Sequence, residues 1–398
     1  MGDILFLAHR IPFPPDRGDK IRSFNLLKFL AARKRVHLIA FADEARDLTR
    51  KQNLAPYTAS REIFWRGKPR WLAALQALLW RKPVSLTAFH SAPLAQAVQE
   101  TLLRRRIDTI FVFSSQMAQY LPAGHHARVI MDFVDMDSAK FEAYATRSKG
   151  PSALMMRREA GLLFQFERQI ARQADASLFV SAAEAQLFAD RSGCDRIHVV
   201  ENGIDTGFFD PGASFKRIDT RDPLIAFTGQ MDYRPNIEAV TWFAEAILPH
   251  IRLRHPSARF AIVGRAPTDA VKALAESGAV MVTGEVPDVR PWLAAANVIV
   301  APLKLARGVQ NKVLEAMAMA RPVVASTAAA EGIDHAGTIR VAGDVGGFAD
   351  QVCAVLADAD SAQALGRSAR QQVISRYSWE ARLAALDPIL AATPRAMA

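Results

Sequence analysis

The chain has 398 residues, long enough for two or three domains that each bury a core. Half of the residues are hydrophobic and 23% are charged, an ordinary globular balance. No apolar run approaches the ~18 residues of a membrane-spanning helix. The net charge of +10 is uneven: residues 1–200 hold 30 Lys and Arg against 19 Asp and Glu, while residues 201–398 hold 20 against 21. The first half therefore calls for an anionic partner (nucleic acid, a membrane surface or a phosphorylated substrate), or else its basic surface is merely solvated.

In chain order, "MGDILFLAHRIPFPPDRG" has an acid where a signal peptide would have basic residues, and its apolar run is too short for one. It reads as a first β-strand. Further strand-like runs are "VHLIAFA", "TIFVF", "RVIMDFV", "ASLFV" and "IHVV", with helical patterns between them, including a long one around residues 152–173. That rhythm predicts a doubly wound, mostly parallel sheet. The turn-rich stretch "ENGIDTGFFDPGASFKRIDTRDP" sets a boundary near residues 205–222. The rhythm then restarts with "LIAFTG", "RFAIVG", "VMVTG", "NVIVAP", "PVVAS" and "TIRVA", and "SWEARLAALDPILAA" predicts one amphipathic helix after the second sheet. Cys194 and Cys353 have no metal-ligand spacing and fit a reduced, cytoplasmic setting.

One segment breaks the pattern. In "WRGKPRWLAALQALLWRKP", residues 65–83, Trp65, Trp71 and Trp80 accompany Arg66, Lys68, Arg70, Arg81 and Lys82 around a Leu/Ala-rich helix. Such flanks suit a helix resting on an anionic membrane surface, or a core helix whose charged ends snorkel into water. Arg104, Arg105 and Arg106 read as a helix end that complements its dipole.

Two α/β domains in tandem place a ligand in the cleft between them, at the carboxyl ends of the strands. Glycines stand at four such ends before helices: Gly18, Gly229, Gly264 and Gly284. Together they point to a nucleotide, whereas the absence of G-x-G-x-x-G removes support for a nicotinamide cofactor. In "TGQMDYRPN", Gln230 and Arg234 are candidates to reach a phosphate. The stretch "LKLARGVQNKVLEAMAMARPVVAS", residues 303–326, carries the most chemistry. A helix predicted to start near Val309 to Asn311 offers free N–H groups to a diphosphate, with Lys312 and Arg307 as cations beside it. Glu315 lies on the same face as Lys312 and suits the paired hydroxyls of a ribose. The plainer reading is a capped core helix with a surface Lys/Glu pair.

"VLEAMAMARPVVAS" and "VVENGIDTGFFDP" resemble signatures of the GT-B glycosyltransferases of family 4. "FTGQMDYRPNIEAVTWFAEAILPHIR" and "DFVDMDSAKFEAYA" look closer to sugar transferases of exosortase-associated exopolysaccharide loci. The resemblance implies an α/β GT-B architecture, two Rossmann-like doubly wound domains facing a central cleft. Residues 1–208 would hold the acceptor, 209–376 the nucleotide sugar, and a helix over 377–398 would pack back on the first domain. It implies a retaining transfer from a nucleotide diphosphate sugar, without metal or cofactor, to a glycan or polyprenyl-linked acceptor, in the cytoplasm or at the inner membrane face. Donor contacts would come from Gly18, Gly229, Gln230, Arg234, Gly264, Arg265, Glu285, Val286, Arg307, Gly308, Val309, Lys312 and Glu315. Asp132, Asp135, Arg307 and Lys312 would carry the chemistry. The family's paired glutamates stand eight positions apart; Glu315 matches the second, while Arg307 takes the place of the first. Gln230 and Asn236 stand near the family's phosphate-binding cations, and Asp132, Asp135 and Asp137 lie where it has a first-domain histidine. Other readings are a nucleotide-sugar epimerase, a non-catalytic nucleotide-sugar-binding subunit and, from charge alone, a nucleic-acid binder for which no module is visible.

Overall fold

A computed structural model describes residues 2–306 and 308–392, with Arg70 by its backbone only. The chain divides into two compact units, residues 1–202 with 383–398, and residues 203–382. The sequence reading set its divisions at 208/209 and 376/377, with the last segment packed back on the first domain; the first unit is discontinuous and takes in the end of the chain.

The first unit is built on a parallel seven-stranded sheet. Its strands are β1 (Asp3–Ala8), β2 (Val36–Ala42), β3 (Ser60–Trp65), β4 (Ile107–Phe113), β5 (Arg128–Val134), β6 (Ala176–Phe179) and β7 (Ile197–Val199). They lie in the order β3-β2-β1-β4-β5-β6-β7. The order reverses between β1 and β4, where Ile4 pairs with Thr109 and Ala8 with Phe113. Every residue of β2 is buried, as expected for a parallel strand covered on both faces. The strand β3 had no counterpart in the sequence reading. It is the sheet's edge and no residue of it is fully buried, so "SREIFW" carries only the short apolar run Ile63–Phe64–Trp65.

The second unit repeats the plan with six parallel strands: β8 (Leu224–Thr228), β9 (Arg259–Val263), β10 (Val280–Gly284), β11 (Val298–Ala301), β12 (Val323–Ser326) and β13 (Arg340–Ala342). Their order is β10-β9-β8-β11-β12-β13, again reversing beside the first strand. β8, β11 and β12 are buried throughout. Phe227, Phe243, Phe260 and Phe348 are fully enclosed in this unit's core. Both units therefore present a crevice beyond the carboxyl ends of their strands at the point of reversal, the place where open α/β sheets bind ligands.

The long helix expected around 152–173 spans Gly150–Gln173. The single helix expected at the end of the chain is instead two, Trp379–Leu383 and Leu386–Ala391. Pro388 explains the break: in a continuous helix its ring would strike the Ala384 carbonyl, whereas in the first turn of a new helix it is tolerated. The second of these helices belongs to the first unit. There Arg33 grips Asp387 through Nε (2.5 Å) and Nη2 (3.0 Å), and Arg128 donates to the carbonyls of Ile389 and Leu390. Among the described residues no helix is long and apolar enough to cross a membrane.

Candidate functional site

In the second unit, the loops after β8, β9 and β10 and the helix Asn311–Ala318 surround a cavity of about 520 Å³. Thr228, Gly229, Gln230, Gly264, Arg265, Glu285, Val286, Lys312 and Glu315 line it. Two glycines make this crevice possible. A Cβ on Gly264 would sit 1.6 Å from the Gly229 carbonyl oxygen, and one on Gly229 would sit 2.8 Å from Asn236 Nδ2 and 3.2 Å from Lys312 Nζ. Side chains at either position would fill the floor of the cavity.

The helix Asn311–Ala318 turns Val313, Leu314 and Met317 into the core, which leaves Lys312 and Glu315 on its cavity face. Gln310 occupies the N-cap position at the cavity's edge, and its side chain does not cap the helix. Lys312 Nζ donates to Asn236 Oδ1 at 2.5 Å and lies 4.2 Å from the centre of the Phe227 ring. Asn236 in turn donates to the Gln230 carbonyl at 2.8 Å, which fixes the loop after β8. Burial lowers the Lys312 ammonium to a pKa of about 8, with Glu315 opposing the shift, and burial raises the Glu315 carboxyl. Each charge is held with less solvation than it has in water, so a ligand carrying opposite charge or hydroxyl donors gains more here than at an open surface. The Thr228 hydroxyl is buried and has no partner among the described residues. Arg265 Nη2 meets Gln230 Oε1 at 2.9 Å on the opposite rim.

Not every residue named from the sequence belongs to this cavity. Arg234 points into solvent, with 88% of its side chain exposed, and pairs with Glu238 one turn away at 2.7 Å. Gly308 and Val309 precede the helix without lining the cavity, and Val309 packs on the core. Arg307 lies outside the described residues. Gly18 opens the helix Gly18–Ala31 in the first unit, where the chain's own Asp19 provides the negative charge of the first turn. Conversely, Thr228, Tyr233, Val263, Val289 and Gln310 line the cavity without having been singled out. Their signal was position, since each sits at or beside a strand end or the helix start.

The strand ends of the first unit hold a second charged cluster. Asp132 is fully buried; its Oδ2 accepts from Arg22 Nε at 2.9 Å and its Oδ1 from the Val134 amide at 3.0 Å. Burial raises its pKa against the pull of Arg22. With no exposed surface and both oxygens engaged, Asp132 is placed as an internal ion-pair partner, not as a contact for an acceptor. Asp135, one-third exposed, pairs with Lys140 at 2.8 Å. Beside them, His9 follows β1, stacks on Phe113, and approaches Asp19 Oδ2 at 3.2 Å and Arg10 Nη1 at 3.0 Å. Burial lowers the His9 pKa, and its Nδ1 has no partner among the described residues. Arg10 and Arg66 both close on Asp43 at 2.5 Å. Ser114 and Val134, at the ends of β4 and β5, have φ of +77° and +70°, unusual for non-glycine residues and a mark of strain at this edge.

Residues 21–208 match the family described as Glycosyltransferase Family 4, and residues 222–358 match glycosyl transferases group 1. The α-maltose-1-phosphate synthase of Mycolicibacterium smegmatis is 29% identical over 217 residues, 46% of this chain and 54% of that protein. The chain thus aligns with about half the length of this curated relative. A glycosyltransferase from Rickettsia africae superimposes with a TM-score of 0.61 at 14% identity, covering 98% of this chain and 97% of its own. HepE of Anabaena, solved in complex with UDP, gives 0.59 at 15% identity, covering 98% and 99%. These likenesses establish the GT-B fold.

Proposed function

We propose that this chain, a two-domain glycosyltransferase of the GT-B fold, moves a sugar from a nucleotide diphosphate sugar to a glycan or lipid-linked acceptor, with retention at the anomeric carbon. The observation that carries this reading is the Lys312/Glu315 pair, presented by the open end of a helix to a cavity floored by Gly229 and Gly264. The diphosphate lies over the first turn of the helix and beside Lys312, and Glu315 accepts hydrogen bonds from the ribose hydroxyls. The Anabaena relative solved with UDP-glucose supports a nucleotide sugar as donor.

In the transfer, the bond between the anomeric carbon and the diphosphate oxygen breaks, and a bond to the acceptor oxygen forms on the same face. Negative charge grows on the leaving diphosphate, where Lys312 and the helix N–H groups are already aimed. Asp132 being enclosed, the departing phosphate oxygen takes the acceptor proton. This scheme uses no metal and no cofactor.

The first unit is assigned the acceptor. Its excess of basic residues suits an acceptor carried on a polyprenyl diphosphate at an anionic inner-membrane surface, as in exopolysaccharide assembly. Thermal shift across UDP-, GDP-, ADP- and TDP-sugars, followed by turnover with the stabilising donor, tests the reading. Stabilisation without turnover favours a binding subunit, release of an epimeric nucleotide sugar favours an epimerase, and no stabilisation by any donor overturns the assignment.

A further inference from the structure

The helix Arg70–Leu79 is amphipathic in the opposite sense from a helix of a soluble core. It turns Ala73 and Ala77 inward and leaves Trp71, Leu75, Leu78 and Leu79 between 48% and 71% exposed, with Trp80 following at 44%. These residues recur at i, i+4, i+7 and i+8, so they form one stripe. The stripe is not isolated. Arg158 Nη2 donates to the Ala77 carbonyl at 2.8 Å and thereby ties the helix to Gly150–Gln173, whose first turns expose Leu154 at 70% and Met155 at 54%.

The charge around this apolar face has one sign. Residues 63–99 contain five Lys and Arg and no acid; residues 143–158 contain four and no acid. The next acid in sequence, Glu159, is buried and accepts from the Val84 and Ser85 amides, so it neutralises nothing at the surface. The five cations of residues 63–99 do not act alike. Arg66 is engaged with Asp43, and Lys68 donates to Gln76 and to the Thr87 carbonyl. Arg81 and Lys82, directly after the stripe, are exposed, as are Lys149 and Arg157.

We propose that this face inserts into an anionic bilayer: the Trp71–Leu75–Leu78–Leu79 stripe enters the boundary between headgroups and acyl chains, and Arg81, Lys82, Lys149 and Arg157 meet lipid phosphates. A helix of this length, tryptophan-bearing and flanked by cations, lies in the interface plane and does not span. A second copy of the chain is a poorer occupant, because pairing two such faces sets basic rims against each other. The proposal rests on the membrane partner named above and adds that apolar insertion, beyond charge, holds the protein there.

The experiment is co-sedimentation with phosphatidylglycerol/phosphatidylcholine vesicles and with phosphatidylcholine alone, in about 0.1 M and about 1 M salt, where the screening length falls from about 10 to about 3 Å. The wild type is compared with Leu75→Ser/Leu78→Ser/Leu79→Ser, whose altered side chains already face water and leave the melting temperature unchanged. Insertion predicts binding to the anionic vesicles that largely survives high salt, and about a tenfold lower partition for the triple variant. Complete release by salt, with equal binding of the two proteins, overturns insertion while leaving an electrostatic membrane contact. Absence of binding at either salt overturns both. A dimer that the triple variant dissolves, without vesicle binding, assigns the face to a second copy. Turnover of a nucleotide sugar in solution is read separately, so the glycosyltransferase reading stands or falls independently.

Discussion

The Gly229 carbonyl oxygen lies 1.6 Å from the point where a Cβ on Gly264 would be. Two strand-end loops are therefore in backbone contact beneath the second unit's cavity, and Gly264→Ala must push one of them away. Overpacking of this kind costs about 1–3 kcal/mol. The variant is expected to melt several degrees lower and to lose donor affinity disproportionately, read by thermal denaturation and by calorimetric titration with the stabilising donor. An unchanged affinity would show that the floor of the cavity is not used.

Lys312 and Glu315 separate by ligand fragment. Lys312→Ala weakens a nucleoside diphosphate more than the nucleoside, and Glu315→Gln weakens both. Charged hydrogen bonds of about 1.5–3 kcal/mol make each loss roughly tenfold or greater. Calorimetry with UDP and uridine, or the corresponding pair for the donor that stabilises the protein, makes the comparison.

The same lysine gives the site a pH dependence. Its pKa in the empty cavity is lowered to about 8, so it is charged below that pH and increasingly neutral above it. A diphosphate binds the charged form and raises the pKa again. Affinity is therefore expected to be flat below pH 8 and to fall as pH rises beyond it, with proton uptake on binding near pH 8–9. Titrations in buffers of different ionisation enthalpy detect that uptake. Lys312→Arg should abolish the pH dependence even where it changes affinity.

Glu167, in the first unit, is a second titrating group. Fully buried, it accepts from the Ser138 amide at 3.2 Å and the Ser138 hydroxyl at 2.5 Å, and burial raises its pKa to about 7. A carboxyl raised from 4.5 favours folding in its neutral form. Its contribution is thus complete below about pH 4.5 and is lost as pH rises through 7, by about 3 kcal/mol at most. Glu167→Gln should gain stability over the wild type between pH 5 and 8, the gain growing with pH; parallel melting curves across that range would refute the assignment.

Removing one partner of the Arg22–Asp132 pair leaves a buried charge uncompensated, at a cost of about 3–5 kcal/mol. Asp132→Asn and Arg22→Met are each expected to lower the melting temperature severely. The double change Arg22→Met/Asp132→Leu should recover most of the loss. Failure of the double change to recover stability would mean the pair does more than fill the core.

The strand sequence of both sheets was legible because parallel strands covered on both faces are continuous apolar runs, as β2 and β8 show. The strand β3 was not, since an edge strand alternates weakly and "SREIFW" has few apolar residues to show. Gly229 and Gly264, at strand ends, mark loops that line the cavity, whereas Arg234 turns to Glu238 on its own helix and not to the cavity. Sequence spacing places a residue on an element but does not choose its partner. Asp132 illustrates this: Arg22 lies 110 positions away, and only the folded sheet brings them together. His9 lay in a loop read for its glycine, and nothing local announces its stacking on Phe113.

The discontinuity of the first unit has a consequence for synthesis. A ribosome releases residues 1–202 and then the whole of 203–382 before it reaches the partners that Arg33 and Arg128 hold, Asp387 and the carbonyls of Ile389 and Leu390. At about 5–20 residues per second, Arg33 and Arg128 wait roughly 10–40 seconds for these partners. The continuous second unit meets no such delay, so the protein begun first is the part completed last.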